Sequence, residues 1–317
     1  MELNELKRDI KVIGKAKEIM NVRQGEAKSS GRKYLAYTLV VMVENEKNGT
    51  VDDIKVDFFA MDETSPYKSQ SKFLEQGKTV AIDGYDNADL VNIVGQLELE
   101  EYVNKKGNHV QFNKLQGAFI HRLEEDMKHR AVANAETVIT EISDKLNDDD
   151  LPTGEKVING FTIGYREQVV IIKDAIVPTS LAEDFAKIYK PGQTAMLTYQ
   201  FINRVVGTKP DQQEQEEEAP VAAFGAVADI KAGKPKFTDY DTRTLVIGGL
   251  PAYDEDLALT KDEIEHALEV RKQKEAEVVN SHYEVPAPAK TEKPKQSDNP
   301  WGANGGFGSS DDDVPDF

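Results

Sequence analysis

Ile54-Lys55-Val56-Asp57-Phe58-Phe59-Ala60 alternates in polarity and reads as a half-buried strand. Ile54, Val56 and Phe58 fall on one face, which leaves Lys55, Asp57 and Phe59 on the other. Ser65-Pro66 follows and opens a helical segment from Tyr67 to Glu75, with proline where a missing N–H costs nothing. Gln76-Gly77 ends that segment, and Thr79-Val80-Ala81-Ile82-Asp83-Gly84 reads as a return to strand. Upstream, Ile10 to Ala16 partly alternates and Lys33 to Val43 is rich in β-branched and aromatic residues. Arg23 to Arg32, between them, is a polar loop punctuated by glycine. Downstream, Val91 to Val103 and His109 to Leu115 flank Asn104-Lys105-Lys106-Gly107-Asn108, a basic hairpin tip.

Three strands, a helix and then further strands is the order of the five-stranded Greek-key barrel called the OB-fold. The next region repeats it. Ala131 to Ile142, Lys156 to Tyr165 and Gln168 to Val177 read as strands, Ser180 to Tyr189 as a helix and Thr194 to Val206 as a strand. The halves align without a gap at an offset of 115, which sets Thr64-Ser65 on Thr179-Ser180 and Gly77-Lys78-Thr79 on Gly192-Gln193-Thr194. Ile54, Val56, Ala60 and Ile82 then fall on Val169, Ile171, Ala175 and Leu197, apolar on apolar. Phe237 to Gly248 supplies late strands, and Leu257 to Val279 is helical, with Leu257, Ile264, Leu268 and Val279 on one docking face toward its own domain.

The expected fold is mainly β with short helices: two OB-fold-like five-stranded barrels in tandem plus a disordered acidic C-terminal tail. The expected divisions are a binding barrel over 1–122, a second barrel over 123–256 with an acidic loop at 209–220, a helix over 257–280, and linker and tip over 281–317.

The chain of 317 residues carries a formal net charge of −18, distributed unevenly. Residues 1–130 hold 20 Lys and Arg against 22 Asp and Glu, and the remainder 19 against 35. Residues 1–35 hold nine basic and five acidic side chains. The chain is therefore basic at its start and acidic toward its end, which leaves room for a polyanionic partner at the start only. No apolar run is long enough to span a bilayer, and Met1-Glu2-Leu3-Asn4-Glu5 lacks a signal-peptide pattern, so a cytoplasmic protein with no membrane partner is expected. Zero cysteines exclude disulfides, zinc knuckles and thiol chemistry.

Nothing in the sequence points to an enzyme or a cofactor. Gly77-Lys78-Thr79 mimics the end of a P-loop, but Lys72 stands where the leading glycine is needed and the segment runs from helix to strand. Asp148-Asp149-Asp150 lacks the alternating ligand spacing of a calcium loop and reads as a solvated turn. His109, His121, His129, His266 and His282 show no metal-ligand spacing. Asp83, Asp86 and Asp89 are isolated carboxylates that make a nuclease centre a distant alternative.

The first barrel carries a more specific constellation. Arg23, Lys28, Arg32 and Lys33 lie on one loop and Lys105 and Lys106 on another, interleaved with Tyr34, Phe59, Tyr67 and Tyr102. Cations for phosphates and aromatic faces for bases are what single-strand binding requires. Alternation sets Tyr37, Leu39, Val41 and Val43 on one face and Tyr34, Ala36 and Thr38 on the other, and places Phe58 in the core with Phe59 outward.

These residues resemble the bacterial and phage single-stranded DNA-binding proteins. Lys55 to Ala60, the helix ending Phe73-Leu74-Glu75-Gln76-Gly77-Lys78, and Val80 to Gly84 look like that family's third strand, helix and fourth strand. Val94-Gly95-Gln96-Leu97, leading to Glu101-Tyr102 and a Lys-Lys-Gly hairpin, is also similar. The terminal Asp311-Asp312-Asp313-Val314-Pro315-Asp316-Phe317 resembles the family's acidic tip, after a low-complexity stretch with Asn299-Pro300-Trp301-Gly302. Asp316 separates Pro315 from Phe317, which the family joins directly, and two barrels in one chain resemble a phage variant. The resemblance implies a non-enzymatic protein that coats single-stranded DNA in replication, recombination and repair. Its tip would recruit a polymerase, helicase or recombinase in the host cytoplasm, with an oligomer left open. The alternative is an acidic interaction scaffold of the replication machinery that does not touch DNA.

Overall fold

The structure is a computed structural model that describes residues 3–28, 30–45, 49–125, 127–208 and 238–284. The acidic loop 209–220 and the tip Asp311 to Phe317 lie outside the described residues.

Five strands build the first barrel: β1 (Arg8–Glu26), β2 (Lys33–Asn45), β3 (Thr50–Met61), β4 (Leu90–Val103) and β5 (His109–Arg122). They pair in the order β2-β3-β5-β4-β1, and an added β1–β2 ladder closes the sheet on itself. This is the order of the OB-fold, with β3 and β5 parallel through Val56↔Leu115 and Phe58↔Gly117 and the other pairs antiparallel. Period-two alternation decides which side chains fill it. Leu35, Tyr37, Leu39, Val41 and Val43 of β2 and Ile54, Val56, Phe58 and Ala60 of β3 are buried in one core. Phe58 stacks on Tyr37 with ring centroids 4.7 Å apart, over Gly117, where a Cβ would come within 2.4 Å of the Phe58 ring. Burial without a partner pushes the Tyr37 hydroxyl well above its ordinary range.

Helix α1 (Ser65–Gln76) stands against the first barrel through buried Gln70 and Phe73. Thr64 caps it by accepting from the Tyr67 N–H at 3.3 Å. The stretch expected as the next strand is instead one helical turn, α2 (Val80–Asp83). Asp83 Oδ2 accepts from the Thr79 N–H at 2.8 Å, Gly84 closes the turn at φ 82°, and Ile82 is left 85% exposed. The fourth strand begins only at Leu90. The offset of 115 therefore holds at Ala60 and Ala175 and through the helix but not on either side. Ile54 and Val56 are core residues whereas Val169 and Ile171 are not in the barrel core, and 13 residues separate α1 from β4 where only five separate the corresponding elements of the second barrel.

The second barrel comprises β6 (Arg130–Leu146), β7 (Pro152–Ile163), β8 (Val169–Val177), β9 (Thr194–Thr208) and β10 (Thr238–Gly249), with α3 (Thr179–Ile188) between β8 and β9. Its order, β6-β7-β8-β10-β9 closed by β6–β9, repeats the first. The equivalent strands β1 and β6 pair antiparallel from Arg8↔Ala135 to Ile13↔Arg130, which relates the barrels by a pseudo-two-fold. The final helix, α4 (Lys261–Glu284), starts later than expected because Thr260 and Glu263 form a capping box. Those reciprocal bonds hold the Glu263 carboxyl below its ordinary value.

Candidate functional site

The outer face of β1, β2 and β3 can be written as rows of directly paired residues, since partners opposite each other in an antiparallel ladder share a face. The rows are Gly25–Tyr34–Met61, Arg23–Ala36–Phe59, Met20–Thr38–Asp57 and Glu18–Val40–Lys55. Ala36, Thr38 and Val40 form its floor. Tyr34 and Phe59 stand above that floor with centroids 6.1 Å apart and planes 27° apart. Gly25 packs closely beside them: a Cβ there would lie 3.1 Å from the Tyr34 ring. Phe59 remains 45% exposed, a large apolar face turned away from the core that holds its neighbour Phe58.

Cations border this pair. β1 runs on to Glu26 rather than ending before Arg23, because its bulge between Met20 and Arg23 lets the ladder with β2 continue to Glu26↔Lys33. Arg23 is thus a strand residue beside Ala36, and only residues 27–32 form the connecting turn, closed by the Ala27 N–H on the Arg32 carbonyl at 2.8 Å. Lys28, Arg32 and Lys33 are exposed at its tip. Arg32 is engaged by Asp62, at 3.3 Å from Nε to Oδ1. Among the described residues Arg23, Lys28, Lys33 and Lys55 form no ion pair, so their charges are available to a polyanion.

The β4–β5 hairpin is an arm with two faces. Asn104 shapes its tip, its Oδ1 accepting from the N–H groups of Lys106 and Asn108 at 2.9 and 3.0 Å, which leaves Lys105 and Lys106 exposed. Tyr102 and Phe112, 44% and 48% exposed, share a face with Lys114. The register Asp57↔Gln116 makes that face continuous with the outer face of β3. Glu101, His109, Gln111 and Asn113 look the other way, toward the second barrel and α4.

The structure thus gathers Arg23, Tyr34 and Phe59 on one face, with Lys28 on the turn at its end and Lys33 exposed at the strand edge one residue from Tyr34, and sets Tyr102, Lys105 and Lys106 on an arm extending the same surface. Tyr67 belongs elsewhere: it is half-buried on α1, packed against the core. Lys55, Phe112 and Lys114 were not among the expected site residues. The alternation Lys55-Val56-Asp57-Phe58-Phe59 already placed Lys55 beside Phe59, whereas Phe112 and Lys114 needed the β3–β5 register.

The second barrel differs in charge at the equivalent place. Its β6–β7 turn carries Asp148, Asp149 and Asp150, wrapped around Asn147, whose Oδ1 accepts from the N–H groups of Asp149 and Leu151 at 3.0 and 2.9 Å. Among the described residues no group of three or more His, Asp or Glu side chains is placed to hold a metal ion.

A family model described as YorF matches residues 7–281. No curated relative matches the sequence. Among solved structures, the wild-type single-stranded DNA binding protein from Thermus aquaticus is similar at 10% identity, over 79% of this chain and 95% of that one, with a TM-score of 0.46. A deletion mutant of the same Thermus aquaticus protein is similar at 11% identity, over 80% of this chain and 98% of that one, with a TM-score of 0.43.

Proposed function

The chain belongs to the YorF family, and we propose that it binds single-stranded DNA along the outer face of β1, β2 and β3, within residues 1–122. The observation that carries this reading is the Tyr34–Phe59 pair, Tyr34 half-buried and Phe59 exposed above a floor of small side chains, bordered by uncompensated cations. Unpaired bases expose π-faces that stack on such rings, at roughly 1–3 kcal/mol per base, while Arg23, Lys28, Lys33 and Lys55 meet phosphates. A duplex hides its base faces, so the arrangement selects single strands. Tyr102, Lys105 and Lys106 extend the track along the β4–β5 arm.

In this reading the protein coats and protects single strands during DNA replication, recombination and repair, in the cytoplasm of a host cell if it is phage-encoded. It acts by binding rather than catalysis. Asp311, Asp312, Asp313, Val314, Pro315, Asp316 and Phe317 offer a partner carboxylates and a terminal ring, suited to an apolar pocket rimmed by Lys or Arg on a polymerase, helicase or recombinase.

The net charge of −18 and the acidic β6–β7 turn favour a second reading, an interaction scaffold that DNA does not approach. Neutralising Arg23, Lys28, Arg32, Lys33, Lys105 and Lys106 together separates the two. The binding reading expects affinity for oligo-dT to collapse and its salt dependence to flatten; the scaffold expects no change.

A further inference from the structure

The second barrel has a face equivalent to the one just described, and the chain itself covers it. In the β7–β8 ladder, Ile158↔Ala175 and Gly160↔Ile172 belong to the barrel interior. The intervening pairs Phe161↔Ile171 and Ile163↔Val169 must therefore point outward, and Val138 of β6 lies opposite Phe161 on the same side. Outward side chains would be wet. Val138, Phe161 and Ile163 are nevertheless fully buried, in a cluster separate from the barrel core. That cluster is completed by Leu3 and Leu6 from the N-terminal segment and by Ala267 of α4, with Leu259 and Ile264 packed at its edge. The Leu6 N–H donates to the Ile163 carbonyl at 2.8 Å, which fastens the segment to β7.

α4 does not stop there. One turn beyond Ala267, Arg271 reaches the first barrel's arm, donating to Glu101 at 2.7 Å and to Gln111 at 3.0 Å, and Glu275 lies 3.5 Å from His109. Toward the β6–β7 turn the second barrel's outer face carries Glu141 and Glu155, and Lys145 there is engaged by Glu155 at 2.7 Å.

We infer that α4 is the resident ligand of the second barrel. The face that the first barrel leaves open to a strand is closed in the second by Ala267, Ile264 and Leu3, and is carboxylate-lined where it stays open. The second barrel is thus a docking platform, and α4 uses its seat there to hold the β4–β5 arm through Arg271. The chain consequently offers one strand-binding face and not two. That count rests on the function proposed above; the seat of α4 does not.

Hydrogen exchange read by mass spectrometry on the full chain tests the seat. Ala267→Glu puts a carboxylate into the apolar cluster and is expected to strip protection together from residues 3–7, 157–171 and 101–111, while β2 and β3 keep theirs. Unchanged protection in those three segments overturns the inference. Should Ala267→Glu unfold the whole chain, Arg271→Gln decides: it leaves the apolar seat intact and is expected to deprotect 101–111 alone, and unaltered exchange there is contrary. Titration of the wild-type chain with oligo-dT of about 8 nucleotides, within the span of a single OB barrel, should saturate at one oligonucleotide per chain. Two per chain contradicts the inference. No binding at all contradicts the proposed function instead, and the exchange data then judge the seat of α4 on their own.

Discussion

Asn113 of β5 donates its Nδ2 amide to the carbonyl of Ile171 on β8 at 2.7 Å, so the first barrel's arm is bonded to the second barrel. Asn203 of β9 makes the reciprocal bond, also 2.7 Å, to the Asp53 carbonyl on β3. Arg204 adds an ion pair beside it, with Nε 3.0 Å from the nearly buried carboxylate of Asp52. Each barrel thus braces the third strand of the other, about the pseudo-two-fold made where β1 meets β6.

This bracing predicts one cooperative unfolding transition for both barrels. Asn113→Ala and Asn203→Ala should each cost about 1–3 kcal/mol, since each leaves a carbonyl without its donor. Arg204→Met should cost more, about 3–5 kcal/mol, by stranding the Asp52 carboxylate. Urea unfolding followed by far-UV circular dichroism and by Trp301-independent tyrosine fluorescence provides the check. Two separated transitions would show that the barrels are coupled only by their linker.

The seat of α4 carries a pH signature. Burial pushes the Glu101 carboxyl up, but hydrogen bonds and charge from Arg271 and His109 outweigh it and hold the carboxyl below its ordinary value. A lowered carboxylate stabilises the fold fully above its unfolded-state value, and that stability is lost as pH falls through the lowered one. Thermal unfolding between neutral and strongly acidic pH should therefore fall less steeply for Glu101→Gln than for the wild type. Parallel curves would remove Glu101 from the account.

Adjacent phenylalanines should behave in opposite ways. Phe58→Ala opens a hole against Tyr37 and Gly117 and should cost about 3–5 kcal/mol of stability. Phe59→Ala should leave stability within about 0.5 kcal/mol and weaken oligo-dT binding by roughly 1–3 kcal/mol. Paired denaturation and anisotropy measurements on the two variants resolve this, and a Phe59→Ala protein with wild-type affinity would move the stacking face elsewhere.

Much of this arrangement is written in local sequence. Alternation in Lys33 to Val43 and Ile54 to Ala60 gave both the core and the outward Tyr34 and Phe59, because a pleated strand fixes orientation residue by residue. The repeat of strand and helix order gave the second barrel. Local pattern misled at Val80 to Asp83, where apolar residues suggested a strand and the Asp83 cap with Gly84 made a turn. Tyr67 is half-buried on the inward side of α1, a placement that depends on where the barrel lies. Docking of α4 on its own barrel through Ile264 was readable, though Leu257 and Leu268 of the expected face are exposed and Ala267 takes the seat. Its hold on the arm was not, because Arg271 and Glu101 meet across 170 positions and nothing around either residue marks the other. The Thr260 to Glu263 capping box, by contrast, was readable and would have set the start of α4 correctly.

The cations define a further expectation. Each of Arg23, Lys28, Lys33 and Lys55 that contacts a phosphate should, when replaced by alanine, lower the slope of log affinity against log salt by about 0.7. Arg32→Ala should lower it less, since Asp62 already engages that side chain. Titrations across a salt series read both effects, and wild-type slopes in all five variants would leave these cations without a role in binding.

The most direct test of the central claim is an equilibrium titration of the full chain against fluorescent oligo-dT and against a duplex of equal length, repeated with Tyr34→Ala/Phe59→Ala. The account predicts a strong preference for the single strand that the double substitution largely abolishes while the protein stays folded. Equal affinity for single strand and duplex, or a preference that survives the loss of both rings, would contradict it.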